Sequence, residues 1–457
     1  MPAFAGAPIF SYSFSSADFA RRLAVLLIAI LVAGAARPTS AAAGEDASAI
    51  LATLNAQRKI AHQPIEGPPE ALDAFYAALS RTAAKKPGAL TRVCHFGDST
   101  VEMDLVPGPI RRLLAKDWGD GGRGFLLLAR PRPWYRPYDV EYDPSAKWIT
   151  VDPGQPGGIR RFGLGGGLCE AYKDGAKTEI EPVKDGPVGT AFSRVEILYP
   201  VRPDSGDMIV EIDGDKKGTI HGAGSPAKDA FVEVRVPDGR YEIEVTAPKK
   251  GTKAYGIIME RDGPGIVYDH LGVNGSGVPT YLSIDKDHWE AQLRHRDPDL
   301  VVIALGTNDV YPDLDLESYK KQMAQLIHRA KEAVPGAAVL WMAPLDRATK
   351  QGSALVSNPM MPRLIAAQRE VALAEKVAFW SCFDAMGGEG SMGRWFNSKP
   401  RLGAGDLFHP TKEGGEVLGE NFYSALMKGF GEYLTKNGVA PAPRPKPEDP
   451  LSKETLQ

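Results

Sequence analysis

Apolar residues recur along this chain in two rhythms, and the changes between them divide it. Leu72, Phe75, Tyr76 and Leu79 stand at i, i+3, i+4 and i+7, so PPEALDAFYAALSRTA predicts an amphipathic helix opened by Pro68-Pro69. A strand over 91–96 follows, its end made apolar by Val93, Cys94 and Phe96, and a second helical stretch runs to about Trp118. Helical periodicity then disappears until Tyr319. Between about Gly121 and Glu260 the stretches RVEILYP, DMIVEID, AFVEVRVP and RYEIEVTA alternate with period two, separated by turn clusters at Pro203-Asp204-Ser205-Gly206 and Pro237-Asp238-Gly239. Short strands at regular spacing predict a β-sandwich inserted into the chain.

After the insert an α/β rhythm returns. DLVVIAL, Asp299 to Leu305, is a continuous apolar run of the kind buried on both faces of a parallel sheet. Tyr319, Met323, Leu326, Ile327, Ala330 and Val334 predict a helix, AAVLWMAP a strand, 363–375 a helix and VAFWSCFDAM a last strand. The alternation predicts an α/β domain with a doubly wound parallel sheet and a ligand site at the strand C-terminal ends. The expected plan is a signal peptide at 1–43, N-terminal helices and the first part of the α/β domain at 44–120, the β-sandwich at 121–260, the rest of the α/β domain at 261–434 and a disordered Pro-rich tail at 435–457.

The first segment sets the compartment. Arg21 and Arg22 precede an apolar run from Leu23 to Ala36, and Thr39-Ser40-Ala41-Ala42-Ala43 offers a small-residue cleavage site. This reads as a secretory signal peptide, which places the protein in the periplasm or outside the cell; an uncleaved N-terminal anchor is the alternative. No later run approaches about 18 apolar residues, so no membrane span is expected in the mature chain. With 43% hydrophobic and 24% charged residues the composition is ordinary for globular domains. The formal charge of −3 grows more negative once Arg21, Arg22 and Arg37 leave with Asp18, and no Lys/Arg block is present, which argues against a nucleic-acid partner. Cys94, Cys169 and Cys382 cannot all pair within the chain; Cys94 and Cys382 lie in apolar runs and read as sheet core, so neither a disulfide framework nor a cysteine metal site is expected. His62, His95, His221, His270, His288, His295 and His328 lack metal-ligand spacing, so neither metal nor cofactor is expected. His95 reads first as a sheet residue, and His270 is a candidate for the cleft wall. Oligomeric state is not set by these patterns.

The chemistry-bearing residues follow the predicted strands. VCHFGDST turns sharply at Gly97 and puts Ser99 at the sheet edge; Asn308 follows VVIAL in Gly306-Thr307-Asn308-Asp309; Gly275 lies in LGVNGSGV; Asp406 and His409 stand in GDLFHPT. A serine hydroxyl is a weak nucleophile that needs a base, which His409 supplies, and a carboxylate three residues earlier can orient the imidazole. An oxyanion needs donors, and the Ser99 N–H, the Gly275 N–H and the Asn308 amide offer three. Taken singly, each has a plain structural reading: Ser99 as an N-cap, Asn308 and Gly275 as turn residues, His409 as a helix-start residue. Their joint occurrence, in order and each after a strand, favours the catalytic reading.

GDS, the NG glycine, GTND and DLFHPT are also, in order, the four blocks of the GDSL-type SGNH hydrolase superfamily, which this sequence resembles. The resemblance implies a flavodoxin-like three-layer α/β/α domain, with Ser99 as nucleophile, Gly275 and Asn308 completing the oxyanion hole, Asp406 orienting and His409 as general base. Asp98 then braces the turn. HFGDSTVEMD, WGDGGRGFLLL, YGIIMERDGPGIVYDHLGVNGSG and VAFWSCFDAMGGEGSM are similar to an exported bacterial branch that includes peptidoglycan O-acetylesterases, in which a carbohydrate-binding-module-like β-sandwich interrupts the hydrolase. Where that branch tends to have Ala after the block-two glycine, this chain has Ser276-Gly277, which bears on the acyl pocket. The implied activity is removal of O-acetyl groups from a polysaccharide, foremost peptidoglycan. A polysaccharide O-acyltransferase with the same triad and a non-catalytic cell-wall-binding protein are the alternatives. Trp134, Tyr135 and Tyr138 are candidates for a sugar-stacking platform.

Overall fold

The computed structural model describes residues 46–51, 54, 63–155, 158–441, 451 and 453–456; the expected signal peptide lies outside them. Five parallel strands form the central sheet: β1 (Leu90–Gly97), β2 (Gly265–Gly272), β3 (Leu300–Ala304), β4 (Ala338–Ala343) and β5 (Ala378–Ser381), in the spatial order β2-β1-β3-β4-β5. Leu90 pairs with Gly265 and Gly97 with Gly272, while Val93 pairs with Leu300. This is the flavodoxin-like order, and its switch point lies between β1 and β3, where strand ends leave a crevice.

Both faces of the strands are buried, which explains their unbroken apolar runs. Val93, Leu300, Val302, Leu340 and Trp380 pack on one side with Phe75, Ile110, Leu418 and Phe422, from the helices Asp73–Ala83, Pro107–Trp118 and Lys412–Asn437. Phe96, Val301, Ile303 and Trp341 face the other side, against Leu293, Met323, Leu326 and Leu364 of Lys286–Arg296, Leu316–Ala333 and Met360–Ala374. The period-3.6 stripes therefore mark the correct helices, with three local differences. The first helix begins at Asp73, because Pro68 and Glu70 carbonyls accept from Ala71 and Asp73 in a turn before it. VAFWSCFDAM is not one strand: β5 stops at Ser381, whose hydroxyl accepts the Asp384 N–H and caps the short helix Cys382–Ala385. The helix Lys286–Arg296 carries no clear stripe, since it buries His288, Glu290, Gln292 and Arg296 beside Trp289 and Leu293.

The segment after the second helix forms three further sheets. One joins Gly124–Leu126, Gly256–Glu260, Phe192–Val201 and Lys228–Gly239; a second joins Val140–Pro144, Ala176–Pro182, Ile243–Ala247, Met208–Ile212 and Asp215–Ile220; a third joins Lys253–Ala254, Leu168–Ala171 and Trp148–Val151. The four alternating stretches named from the sequence are four of these strands. Their inward residues, among them Phe125, Ile197, Phe231 and Ile257, continue the same apolar core that holds Phe96, Val301 and Ile303. Buried ion pairs cross the same boundary: Arg296 meets Asp269 (2.6 Å) of β2 and also pairs with Glu260, and Glu260 accepts from Arg92 of β1 at 2.8 Å. The expected tail is partly ordered: the last helix runs to Asn437, and Lys453–Leu456 add a parallel strand to Lys228–Gly239. The edge of that strand offers unpaired N–H and C=O groups, and a polar tail satisfies them by main-chain pairing, which composition does not register.

Candidate active site

The turn after β1 is built by close approach. A Cβ on Gly97 would stand 2.3 Å from Val101 Cγ2 and 2.8 Å from the Ala304 carbonyl, so only glycine lets the short helix Ser99–Glu102 fold back against the sheet. Asp98 caps this helix through the Thr100 N–H (2.9 Å), so the cap position is taken by Asp98 and Ser99 is its first residue. That placement leaves the serine hydroxyl at the C-terminal edge of β1, and its N–H belongs to the first turn, where amides lack intrahelical acceptors.

His409 reaches Ser99 from the loop before the last helix, with Nε2 2.6 Å from the hydroxyl oxygen, and its Nδ1 lies 2.7 Å from Asp406 Oδ2. The other oxygen of Asp406 accepts the Phe408 and His409 backbone N–H groups at 3.1 and 3.0 Å, so one carboxylate sets both the loop and the imidazole. Burial alone would raise the Asp406 carboxyl, but the His409 hydrogen bond and these two amides outweigh it and hold it down at about 2. Thr411 then caps the last helix, which fixes the loop at its far end.

The remaining residues gather beside this chain. Gly275 adopts φ +73, a conformation that favours glycine. The Asn308 side-chain amide donates to the Ser276 carbonyl (3.0 Å), so the Asn308 loop and the Gly275 loop are joined directly. Ser276 is buried and its hydroxyl donates to the Gly97 carbonyl at 3.2 Å; the serine that departs from the expected alanine therefore ties the two loops to β1. Ser99, Gly275, Asn308, Asp406 and His409, read from separate motifs, lie on one edge of one sheet. His95 and His270 do not take part: both are buried, with His95 Nδ1 2.9 Å from Tyr268 OH and His270 stacked on Tyr135, and burial pushes both imidazoles down to about 3. Of the aromatic candidates, Tyr135 is core and Tyr138 lies under Arg112, while Trp134 is 48% exposed.

Several residues at the site carry no pattern in the sequence. Tyr281 accepts the Gly97 N–H at 3.1 Å, and its oxygen stands 2.8 Å from the Gly97 carbonyl and 3.0 Å from that of Leu271, tying the ends of β1 and β2. Glu102 accepts the Asn274 N–H at 3.3 Å, one residue before Gly275. Asp309 accepts the Val278 N–H, 3.3 Å from each carboxylate oxygen. Burial pushes the carboxyls of Glu102 and Asp309 up to about 7 against these hydrogen bonds, and raises Asp98 as well. Among the described residues no group of His, Cys, Asp and Glu is arranged to hold a metal ion, and the three cysteines are buried thiols. No helix of the described residues is long and apolar enough to cross a membrane.

A nucleophile hydrogen-bonded to a base, a base hydrogen-bonded to an orienting carboxylate, and amide donors alongside are the parts of acyl transfer. Residues 238–417, which include Gly275, Asn308, Asp406 and His409 but not Ser99, match the GDSL-like Lipase/Acylhydrolase family. Over those residues the chain is similar to GDSL-like lipases and acylhydrolases, and the parallel sheet with its hydrogen-bonded Ser99, His409 and Asp406 is the arrangement that a carboxylic ester hydrolase of this type requires. Among solved structures the chain is similar to one of a peptidoglycan O-acetylesterase, at 21% identity and a TM-score of 0.66, over 80% of this chain and 98% of that one. It is also similar to a family two carbohydrate esterase from Clostridium thermocellum in complex with cellohexaose, at 11% identity and a TM-score of 0.27, over 64% of this chain and 99% of the other. No curated protein sequence matches.

Proposed function

We propose that this protein is an exported serine esterase that removes O-acetyl groups from a polysaccharide, with peptidoglycan as the foremost substrate. The observation that carries the reading is the hydrogen-bonded chain Ser99–His409–Asp406. In this mechanism Ser99 Oγ attacks the ester carbonyl while His409 Nε2 takes its proton, and Asp406 stabilises the imidazolium through Nδ1. The oxyanion is met by the Ser99 N–H, the Gly275 N–H and the Asn308 amide. His409 returns the proton to the departing sugar oxygen, and water, deprotonated by the same imidazole, hydrolyses the acetyl-serine. Support for an acetylated glycan comes from the fold shared with the peptidoglycan O-acetylesterase structure, and support for export from the Arg21-Arg22 and Leu23–Ala36 pattern.

The test is acetate release from O-acetylated peptidoglycan and O-acetylated xylan side by side, with Ser99→Ala as the blank. Ser99-dependent release that favours peptidoglycan is expected, with turnover in Ser99→Ala lower by at least about 10³-fold and thermal stability nearly intact. Wild-type turnover in Ser99→Ala would remove the site assignment. Release only when an acceptor sugar is added, with acetate recovered on that sugar, would replace hydrolysis by transfer.

A further inference from the structure

Arg347 stands in the loop after β4, at the same sheet edge as Ser99, and bridges the two loops that carry the site. Its Nη1 donates to the Thr307 carbonyl at 3.2 Å, one residue before Asn308. Its guanidinium carbon lies 5.2 Å from the centre of the Phe408 ring, and that ring lies 4.3 Å from the ring of His409. The Arg347 carbonyl accepts the Asn358 N–H at 2.7 Å, so backbone and head group are both held.

The charge balance of this cation differs from that of the paired arginines in the same domain. Arg111 pairs with Asp104 and Asp139, and Arg296 with Asp269 and Glu260. Among the described residues no carboxylate stands within 4.0 Å of Arg347, which is half-buried. The neighbouring acids are otherwise engaged. Asp346 accepts from Ser357 Oγ (2.8 Å) and the Met392 N–H (2.9 Å), Asp406 from His409, Asp309 from Val278 and Asp98 from Thr100. A partly desolvated guanidinium with one hydrogen bond to protein keeps most of its five donors for an anion, and its planar fork fits a carboxylate.

We propose that Arg347 is a specificity-determining residue that receives a carboxylate of the substrate, so that the preferred substrate is an acetylated glycan bearing an acidic group within reach of the scissile acetyl ester. The assignment rests on the esterase reading of the Ser99 site and narrows its substrate class. Phe408 supplies the surface on which the guanidinium is held over the His409 loop, a cation–π arrangement that keeps the fork in place before substrate arrives.

The experiment compares wild type, Arg347→Lys and Arg347→Gln on O-acetylated peptidoglycan fragments with carboxylates intact and on the same fragments after amidation, with 4-nitrophenyl acetate as a neutral reference. In the wild type, amidation is expected to raise KM about tenfold, the worth of one partly solvated charged hydrogen bond, with kcat changed less than about twofold. In Arg347→Gln the two fragment pools are expected to give the same KM, and Arg347→Lys to recover part of the difference. Equal sensitivity to amidation in wild type and Arg347→Gln overturns the assignment, as does an equal loss on both pools and on the aryl ester, which marks a residue that only holds the loops. If the aryl ester turns over and no peptidoglycan acetate is released, the choice of polymer has failed instead. The same comparison on acetylated pectin fragments before and after methyl esterification then decides Arg347, and no charge effect there overturns it.

Discussion

At the scale of single residues the site separates the groups proposed to do the chemistry from the groups that hold them. Asp406 is 40% exposed at its side chain and makes its three hydrogen bonds at the rim. Water can replace part of its stabilisation of the imidazolium, so Asp406→Asn is expected to lower kcat by about 10²–10⁴-fold, less than Ser99→Ala, measured as acetate release at saturating substrate. Glu102 is the reverse case, a buried acid whose carboxyl is pushed up to about 7. Its folded pKa exceeds its unfolded value of about 4.3, so the stability it lends as a neutral acid is full below about pH 4.3 and is lost as pH rises through 7. Glu102→Gln keeps the acceptor for Asn274 without the charge. It should match the wild-type melting temperature at pH 4 and exceed it at pH 8, by an amount equivalent to about 4 kcal/mol at most; an unchanged gap across that range would contradict the buried-acid account. The sequence announced Ser99, Asn308, Asp406 and His409 because motifs fix their spacing. Glu102, Tyr281 and Arg347 have no local signature, since their partners lie 172, 184 and 40 residues away.

At the scale of elements, periodicity is informative where a face is apolar and silent where burial is polar. The helix Leu316–Ala333 shows its stripe, whereas Lys286–Arg296 buries a network of charged groups and reads as surface. Main-chain pairing is equally silent, and the strand Lys453–Leu456 is held chiefly by it. Leu456 is half-buried, and a Cβ on Gly218 would stand 2.8 Å from its Cδ2, so this strand also touches the neighbouring sheet. Ending the chain at Pro450 is expected to cost about 1–2 kcal/mol, the value of a partly buried leucine, and to uncover the edge of Lys228–Gly239. Scanning calorimetry and size-exclusion chromatography check the two effects, a lower melting temperature and added self-association; a truncated chain identical to the parent in both would show that the strand contributes nothing in solution.

At the scale of the molecule the β-rich insert and the α/β layers share one interior. Phe125 illustrates it, with its N–H on Asp269 (2.8 Å) of β2 and its ring in the core shared with Phe96 and Val301. Arg296 is the hinge of the charge balance, since it pairs with Asp269 and Glu260 together. Arg296→Met would leave two buried carboxylates short of a partner and is expected to destabilise by about 3–5 kcal/mol. The melting temperature and the soluble yield of the variant measure this, and a stable Arg296→Met protein would mean that Arg92 and Arg194, which also pair with Glu260, suffice for it. For the same reason the insert and the α/β layers form one folding unit.

The sequence by itself determined the elements and the candidate site residues that depend on local spacing: the apolar strands β1, β3 and β4, the striped helices, the alternating strands of the insert, and the residues of the Ser99, Asn308 and Asp406–His409 motifs. These are legible because a period or a turn is imposed within a few residues. Tertiary structure alone decided the strand order that sets the crevice between β1 and β3, the merging of insert and sheet into one core, and the neighbours that tune the site. Strand order, burial and charge balance are sums over groups far apart in the chain, and no window of sequence contains them.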